Sequence, residues 1–225
     1  MQPEPDESPI EITYTCSLGQ NCHSGTLLKR NNIKLCSYPF DWIFSKCDNI
    51  IHCIDDNFKI FLDKSYYNAL GDNCCEHTYY YEKGCGTNMF NHFNPLDNET
   101  HYNYYVRCVD RFKCLLQKEE HKLFIQIFIN TRFEEQENIK NQVIDFNHKF
   151  SKYTHNYTLL VIVNVPTVKQ EHEFIYVDNI HFLVLKTLSH SSGTVFDNED
   201  DNMYLDNILK SKYRFNLKAL EKIKN

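Results

Sequence analysis

Glycine is scarce in this chain, and its scarcity excludes two kinds of protein. Six glycines among 225 residues, beside 16 phenylalanines and 15 tyrosines, argue against a disordered chain and favour a packed core. The chain has no glycine-rich phosphate loop, and Ser17-Leu18-Gly19 alone is too short for a dinucleotide-binding fingerprint. We therefore expect no nucleotide cofactor, and the sequence indicates no other cofactor.

Long apolar runs and basic stripes are also missing. No run reaches the roughly 18 residues of a membrane span, and Met1–Pro9 contains no hydrophobic core of a signal peptide. A net charge of −6, without a basic stripe between aromatic residues, gives nucleic-acid binding no electrostatic support. We expect a cytoplasmic protein that binds neither membrane nor nucleic acid, and the oligomeric state is not indicated.

The ten cysteines contain no Cys-x-x-Cys pair. Without a signal peptide we expect reduced thiols, and the scattered spacing is not that of a disulfide framework. Cys74-Cys75-Glu76-His77 with Cys85 offers soft zinc ligands, but adjacent cysteines serve one tetrahedral site poorly. We therefore predict free thiols in a loop and no metal site.

The second half of the chain predicts the fold class. Leu123–Ile129 and Leu159–Val165 are dense apolar runs of strand length, and Glu134–Phe150 between them has helical periodicity. Apolar strands joined by amphipathic helices indicate a parallel sheet covered on both faces. We predict an α/β fold: a flexible acidic tail over residues 1–10, then one three-layer domain over 11–225. Its central sheet is mostly parallel and flanked by helices, with both apolar runs as inner strands.

The segment from Ile12 to His23 carries the chemistry. Ile12–Ser17 is a β-branched and aromatic run, broken at Gly19 and followed by a stretch able to form a helix. Cys22 would lie at the helix N-terminus, where unpaired N–H groups and the helix dipole lower the pKa of a thiol. The alternative is a small buried cysteine used only for packing.

Two elements of this region resemble a known family. Ser17-Leu18-Gly19-x-x-Cys22 followed by Ser37-Tyr38-Pro39-Phe40-Asp41-Trp42 is similar to the paired motifs of the putative papain-like cysteine peptidase family of bacteria and large DNA viruses. Looser matches continue through Phe90-Asn91-His92-Phe93 to about residue 130. The resemblance implies a thiol peptidase, and a viral member would be in the host cytoplasm or the virion. It also implies an α+β fold with an antiparallel barrel-like sheet. The alternation of strands and helices predicts an α/β fold instead, and for the fold we follow the alternation.

The resemblance assigns Cys22 as nucleophile and His92 as the base that it needs. His23 is a poorer base, since neighbours in sequence do not face each other on a helix. Asp41 would orient His92 or bind substrate, or else cap a helix start. Backbone N–H groups around the turn, with the side chains nearby, could form an oxyanion hole or bind a ligand; these residues are Ser17, Gly19, Gln20 and Asn21.

Two functions remain open on the sequence. The first is a cysteine-nucleophile hydrolase or acyl transferase that acts on an unknown substrate, a peptide, acyl or glycan compound. The second is a non-peptidase α/β protein, such as a glycan- or nucleotide-sugar-handling transferase or an inert binding domain. In the second, the turn and Asp41 bind a ligand, and Cys22 serves packing.

Overall fold

The computed structural model describes residues 10–71, 74–85 and 89–220. The elements follow the chain in this order: β1 (Ile10–Ile12), β2 (Tyr14–Ser17), α1 (His23–Arg30), α2 (Cys47–Asp55), β3 (Tyr67–Gly71), β4 (Cys74–His77), α3 (Thr78–Tyr80), α4 (Glu99–Leu116), β5 (Lys122–Phe128), α5 (Gln136–Phe150), β6 (Tyr157–Pro166), β7 (Glu171–Val177), β8 (Ile180–Thr187), α6 (Glu199–Lys212) and β9 (Tyr213–Phe215). Short 3-10 turns at Lys64–Tyr66 and Phe133–Glu135 and a π-helical segment at Tyr81–Cys85 complete them.

A five-stranded sheet organises the protein, in the order β2-β5-β6-β8-β7. The pairs β2–β5, β5–β6 and β6–β8 are parallel, whereas β7 adds to the edge as an antiparallel hairpin with β8. The hairpin turn has Asp178 at φ 52, a left-handed conformation that aspartate tolerates. The two apolar runs are the inner strands β5 and β6, as predicted, because β5 and β6 each have a neighbour on both sides.

The side chains of the sheet enter two hydrophobic clusters. Alternate residues of β5, namely Leu123, Ile125 and Ile127, pack with α1 and α6, whereas Phe124 packs with α4 and α5. Successive residues of a strand point to opposite faces, so both faces of β5 are buried. This double burial explains why β5 and β6 consist mostly of apolar residues and do not alternate regularly between apolar and polar positions.

Other parts of the fold depart from the simple prediction. Two small sheets lie outside the central one: β1–β9 is parallel and β3–β4 is antiparallel. The predicted tail over residues 1–10 falls largely outside the described residues, but Ile10 already pairs with Tyr213. The fold is thus mixed α/β around a mostly parallel sheet, and the finer three-layer description stays a prediction.

The central sheet places the segment around Cys22 at one edge. β2 ends at Ser17, and the chain turns into α1 within five residues. Because β2 and β5 are parallel, this turn lies at the carboxyl end of both strands, the usual place for sites in α/β proteins.

Within the described ranges, no helix is both long and apolar enough to cross a bilayer.

Candidate active site

Two serines tie the turn after β2 to the helix that follows it. Ser17 Oγ and Ser24 Oγ lie 2.6 Å apart, and both side chains are fully buried. The N–H of Gly19 donates to Ser17 Oγ at 3.2 Å, while Ser24 Oγ donates to the Gly19 carbonyl at 3.3 Å. The strand end and the first turn of α1 are therefore held together by side chains on both elements.

The backbone of the turn is left-handed at two consecutive positions, Gly19 at φ 76 and Gln20 at φ 73. Ser45 supports it from a different segment: its Oγ accepts the Gln20 N–H at 3.1 Å and donates to the Leu18 carbonyl at 3.3 Å. A Cβ at position 19 would overlap Ser45 Oγ and lie 3.1 Å from the Phe40 carbonyl. Only glycine therefore fits this position.

Gly19→Ala should destabilise the fold by about 2–4 kcal/mol, because it combines a left-handed backbone with a steric overlap. Gly193→Ala is the matched control: Gly193 has φ 91, but a Cβ added there would meet no other atom within 4 Å. The control should cost only about 1 kcal/mol, the backbone component alone. Urea unfolding of the two variants measures the difference, and equal losses would remove the argument for close packing at Gly19.

The turn delivers Cys22 to His92. Cys22 is the N-cap residue of α1 and is 6% exposed, and its Sγ lies 3.3 Å from Nε2 of the exposed His92 ring. The two residues are 70 positions apart in sequence. A thiol within hydrogen-bond reach of an imidazole is the minimal arrangement for a cysteine nucleophile and its base.

The loop that carries His92 is anchored on both sides. Before it, Phe90 exchanges two backbone hydrogen bonds with Cys75 of β4, at 3.1 and 3.2 Å. After it, the buried Asn94 side chain accepts from the N–H groups of Leu96 and Asp97 and so closes a turn. These anchors fix the segment that presents the imidazole, although this segment is not part of a long helix or strand.

Comparison with known families decides the relationship of the chain. Residues 13–167 match the model of the putative papain-like cysteine peptidase family (DUF1796), which is more than half of the protein. The chain belongs to this family. No curated protein and no solved structure matches the chain.

The Asp-Trp pair of the family's Ser-Tyr-Pro-Phe-Asp-Trp element has two separate tasks in this structure. The Asp41 carboxylate is completely buried, forms an ion pair with Lys34 Nζ, and accepts the Tyr38 N–H at 2.8 Å. No hydrogen bond joins it to His92 within the described part of the chain. Asp41 therefore shapes its own loop and neutralises Lys34, and it caps no helix, contrary to one predicted alternative.

Trp42 links this loop to the imidazole. Its ring meets the His92 ring edge-on, with centroids 6.4 Å apart and planes at 85°. Lys34 Nζ lies 5.7 Å from the Trp42 centroid, within cation–π range. The loop that carries Trp42 packs closely against α1 at Gly25, because a Cβ there would lie 2.7 Å from the Asp41 carbonyl oxygen. The single tryptophan thus borders the site and is not a core residue.

The prediction that the Cys22 thiol has a lowered pKa is wrong in direction. Burial, with a smaller contribution from the Asp41 carboxylate, raises the pKa of the Cys22 thiol to about 11. Both effects penalise the thiolate, and they outweigh the favourable placement at the start of α1. The sequence shows the helix start, but it does not show how deeply the turn is buried.

The predicted oxyanion and ligand-binding residues are mostly occupied by contacts within the turn or with Ser45 and Ile127. Ser17 and Gly19 bond each other, and the Gln20 N–H is taken by Ser45. The Asn21 side chain donates to the Ile127 carbonyl at 3.1 Å and accepts the His23 N–H at 3.0 Å. Among described residues, the backbone N–H groups of Asn21 and Cys22 have no protein partner, so these two remain as candidate donors.

His23 turns away from Cys22, as its position on the helix predicts. Its Nδ1 lies 2.8 Å from Ser191 Oγ, and its ring packs edge-on against Phe196. Burial is the main reason why its pKa is lowered to about 3. His23 is therefore a neutral core group that ties α1 to the loop after β8.

Sequence reasoning missed the residues that organise the site from elsewhere in the chain. Ser45 and Lys34 contact Gly19, Gln20 and Asp41 only in the folded chain, and no local motif marks them.

The candidate zinc ligands that the structure describes do not form a site. Cys74 and His77 lie on strand β4, while the Cys85 side chain is outside the described residues. In the described part of the chain, no three metal-ligating side chains converge.

Proposed function

We propose that the protein is a cysteine-nucleophile acyl transferase or hydrolase, with Cys22 as nucleophile and His92 as its base. The observation that carries the proposal is the 3.3 Å contact between Cys22 Sγ and His92 Nε2. Membership of the putative papain-like cysteine peptidase family supports it independently. The substrate would be an amide, ester or thioester.

The raised pKa of Cys22 selects one form of this mechanism. With a pKa of about 11, only about one thiol in ten thousand is ionised at pH 7. The Cys22 thiol is then protonated at rest, and Nε2 of His92 accepts its proton as Sγ attacks. This differs from a pair in which thiolate and imidazolium are already formed before substrate binds.

The proposed reaction has two steps, the acylation of Cys22 and the transfer of the acyl group to an acceptor. Sγ forms a bond to the acyl carbon, and the thiol proton passes to His92 Nε2. The resulting imidazolium returns this proton to the leaving amine, alcohol or thiol as the scissile bond breaks. Water or another acceptor then attacks the acyl carbon while His92 takes its proton. The bond between the acyl carbon and Sγ breaks, and the imidazolium returns the proton to Sγ, which restores the thiol. The free N–H groups of Asn21 and Cys22 are our candidates to stabilise the oxyanion.

His92 is oriented by an aromatic side chain in this proposal. The predicted role of Asp41 as its hydrogen-bond partner is replaced by an indirect one. Asp41 fixes Lys34, and Lys34 packs against Trp42, whose ring edge contacts His92. Residues 37–42 thus support the base by packing, and a dyad is sufficient to describe the site.

Acyl transfer to Cys22 tests the proposal. Wild-type protein and His92→Ala are treated with a panel of acyl thioesters and activated esters between pH 6 and 10, and adducts are located by mass spectrometry. We expect an adduct on the Cys22 peptide, formed about 10²-fold faster in wild type than in His92→Ala at pH 7. The gap should narrow toward pH 10, because the thiol with a pKa of about 11 then ionises without a base.

The alternative is a ligand-binding α/β protein without acyl chemistry, such as a sugar-transferring enzyme or an inert domain. The parallel sheet with a turn at its carboxyl edge favours it, since such turns commonly bind ligands. The same experiment separates the two functions. Slow, uniform modification of all accessible cysteines, unaffected by His92→Ala, would reject the acyl-transfer proposal.

A further inference from the structure

A cleft of about 630 Å³ opens beside His92, on the side bordered by Trp42. Aromatic rings form much of its wall. Phe93, the residue after His92, stacks on Tyr104 of α4 with ring centroids 4.6 Å apart and planes at 29°. Trp42, Phe93 and Tyr104 are each only partly buried, so their rings are available to a bound molecule. Such a wall suits flat or apolar groups.

The charged groups in the lining of the cleft are lysines. Lys29, exposed in the last turn of α1, and Lys34 line it, and none of its lining residues is an aspartate or glutamate. Asp41 holds Lys34 from the buried side and keeps the position of its ammonium fixed. Lys34 is thus paired with a carboxylate, whereas the positive charge of Lys29 is not neutralised by any described residue in the lining of the cleft.

The other titratable groups in the wall do not supply negative charge near neutral pH. Burial raises the pKa of the Tyr104 phenol and of the Cys36 thiol, so both stay protonated. The cleft therefore combines aromatic rings, a free ammonium group and neutral polar atoms. An anionic group beside an apolar one matches this surface, whereas Lys29 would repel a cationic ligand.

We propose that this cleft binds an acidic peptide segment of the acyl donor, with a glutamate or aspartate at Lys29 and an apolar side chain against Trp42 and Phe93. The identification of the bound peptide as the acyl donor rests on the proposed function, because the cleft borders His92. The binding preference itself does not depend on turnover, so the two can be tested apart.

Trp42 provides the measurement, since it is the only tryptophan of the chain and lines the cleft. Full-length Cys22→Ala protein, which cannot be acylated at Cys22, is titrated with acetylated and amidated hexapeptides containing one Phe. The peptides differ only in a neighbouring Glu, Gln or Lys. We expect the Glu peptide to change Trp42 emission with an affinity about tenfold above that of the Lys peptide, and higher salt to reduce the difference.

Charge variants of the protein sharpen the test. Lys29→Gln should remove the preference, and Lys29→Glu should reverse it. Lys59→Glu is the matched control, because Lys59 is also exposed but does not line the cleft, and it should retain the preference. Circular dichroism of each variant shows whether it has folded.

Equal affinity for the Glu and Lys peptides, or no change in Trp42 emission with any peptide, would overturn the proposal. So would an identical emission change caused by inorganic phosphate that displaces the Glu peptide, since this would indicate a general anion site. Peptide selectivity without an acyl adduct on wild-type Cys22 would reject the proposed function alone. An adduct formed without charge preference would reject the cleft proposal alone.

Discussion

Cys22→Ala should reduce acyl transfer by at least about 10³-fold, because it removes the atom that bonds to the acyl group. His92→Ala should cost about 10²- to 10⁴-fold near pH 7, since the Cys22 thiol then ionises without assistance. The double variant should be no slower than Cys22→Ala alone, because the two residues act as one unit. Steady-state rates with the best substrate from the acylation panel provide the comparison.

Cys114→Ala is the control for general effects of cysteine replacement. Cys114 is partly buried on α4 and has no contact with the Cys22–His92 pair. Its replacement should leave the rate unchanged, and Cys22→Ala should unfold within about 1–2 kcal/mol of wild type, because a thiol-to-methyl change removes little volume. Full turnover in Cys22→Ala would eliminate the proposed nucleophile.

The free energy of unfolding should fall steeply as the pH drops from about 6.5 to 5. Three buried histidines account for this: burial lowers the pKa of His23 to about 3 and those of His77 and His181 to about 4. In the unfolded chain each has a pKa of about 6.5. Their stabilising contribution is complete above that value and is lost as the pH falls, because the unfolded chain then binds protons that the folded protein excludes.

The expected size of this loss is large. Each neutral buried histidine contributes a slope of about 1.4 kcal/mol per pH unit below 6.5, so three together remove on the order of 5 kcal/mol by pH 5. This is comparable with the whole stability of many domains. Ordinary carboxylates protonate mainly below about pH 4.5, which leaves the window to the histidines.

Urea unfolding at half-unit steps between pH 5 and 8 measures the effect. His23→Gln should reduce the slope by about one histidine's share, whatever its effect on stability at pH 7. His148→Gln is the matched control, because His148 is exposed on α5. Stability that stays flat between pH 6.5 and 5 would show that these histidines do not remain neutral in the folded protein.

The apolar pattern of the sequence was enough to identify the two inner strands of the sheet. Inner strands β5 and β6 could be recognised because strands covered on both faces are apolar at most positions. Gly19 marked the turn, since few residues other than glycine adopt its left-handed backbone next to a packed side chain. The alternation of strands and helices along the chain predicted a mostly parallel sheet, whereas the family resemblance implied an antiparallel barrel. The structure has the mostly parallel sheet.

The family resemblance brought forward Cys22 and His92 as a pair, and the structure places their side chains in contact. Their catalytic roles stay a proposal. The motif could not show what surrounds them, because the neighbours come from distant segments: Ser45 beneath the turn, and Lys34 beside Asp41.

The electrostatics of the site depend on the folded arrangement of the chain and could not be predicted from the motif. The rule that a helix start lowers a thiol pKa is local, whereas desolvation depends on everything that packs around the group. Cys22 is buried beside the His92 ring, and burial raises the pKa of its thiol to about 11. Asp41 likewise could not be assigned to Lys34 from its motif. Burial and charge pairing are properties of the folded chain, and for that reason a motif predicts which residues meet but not their protonation states.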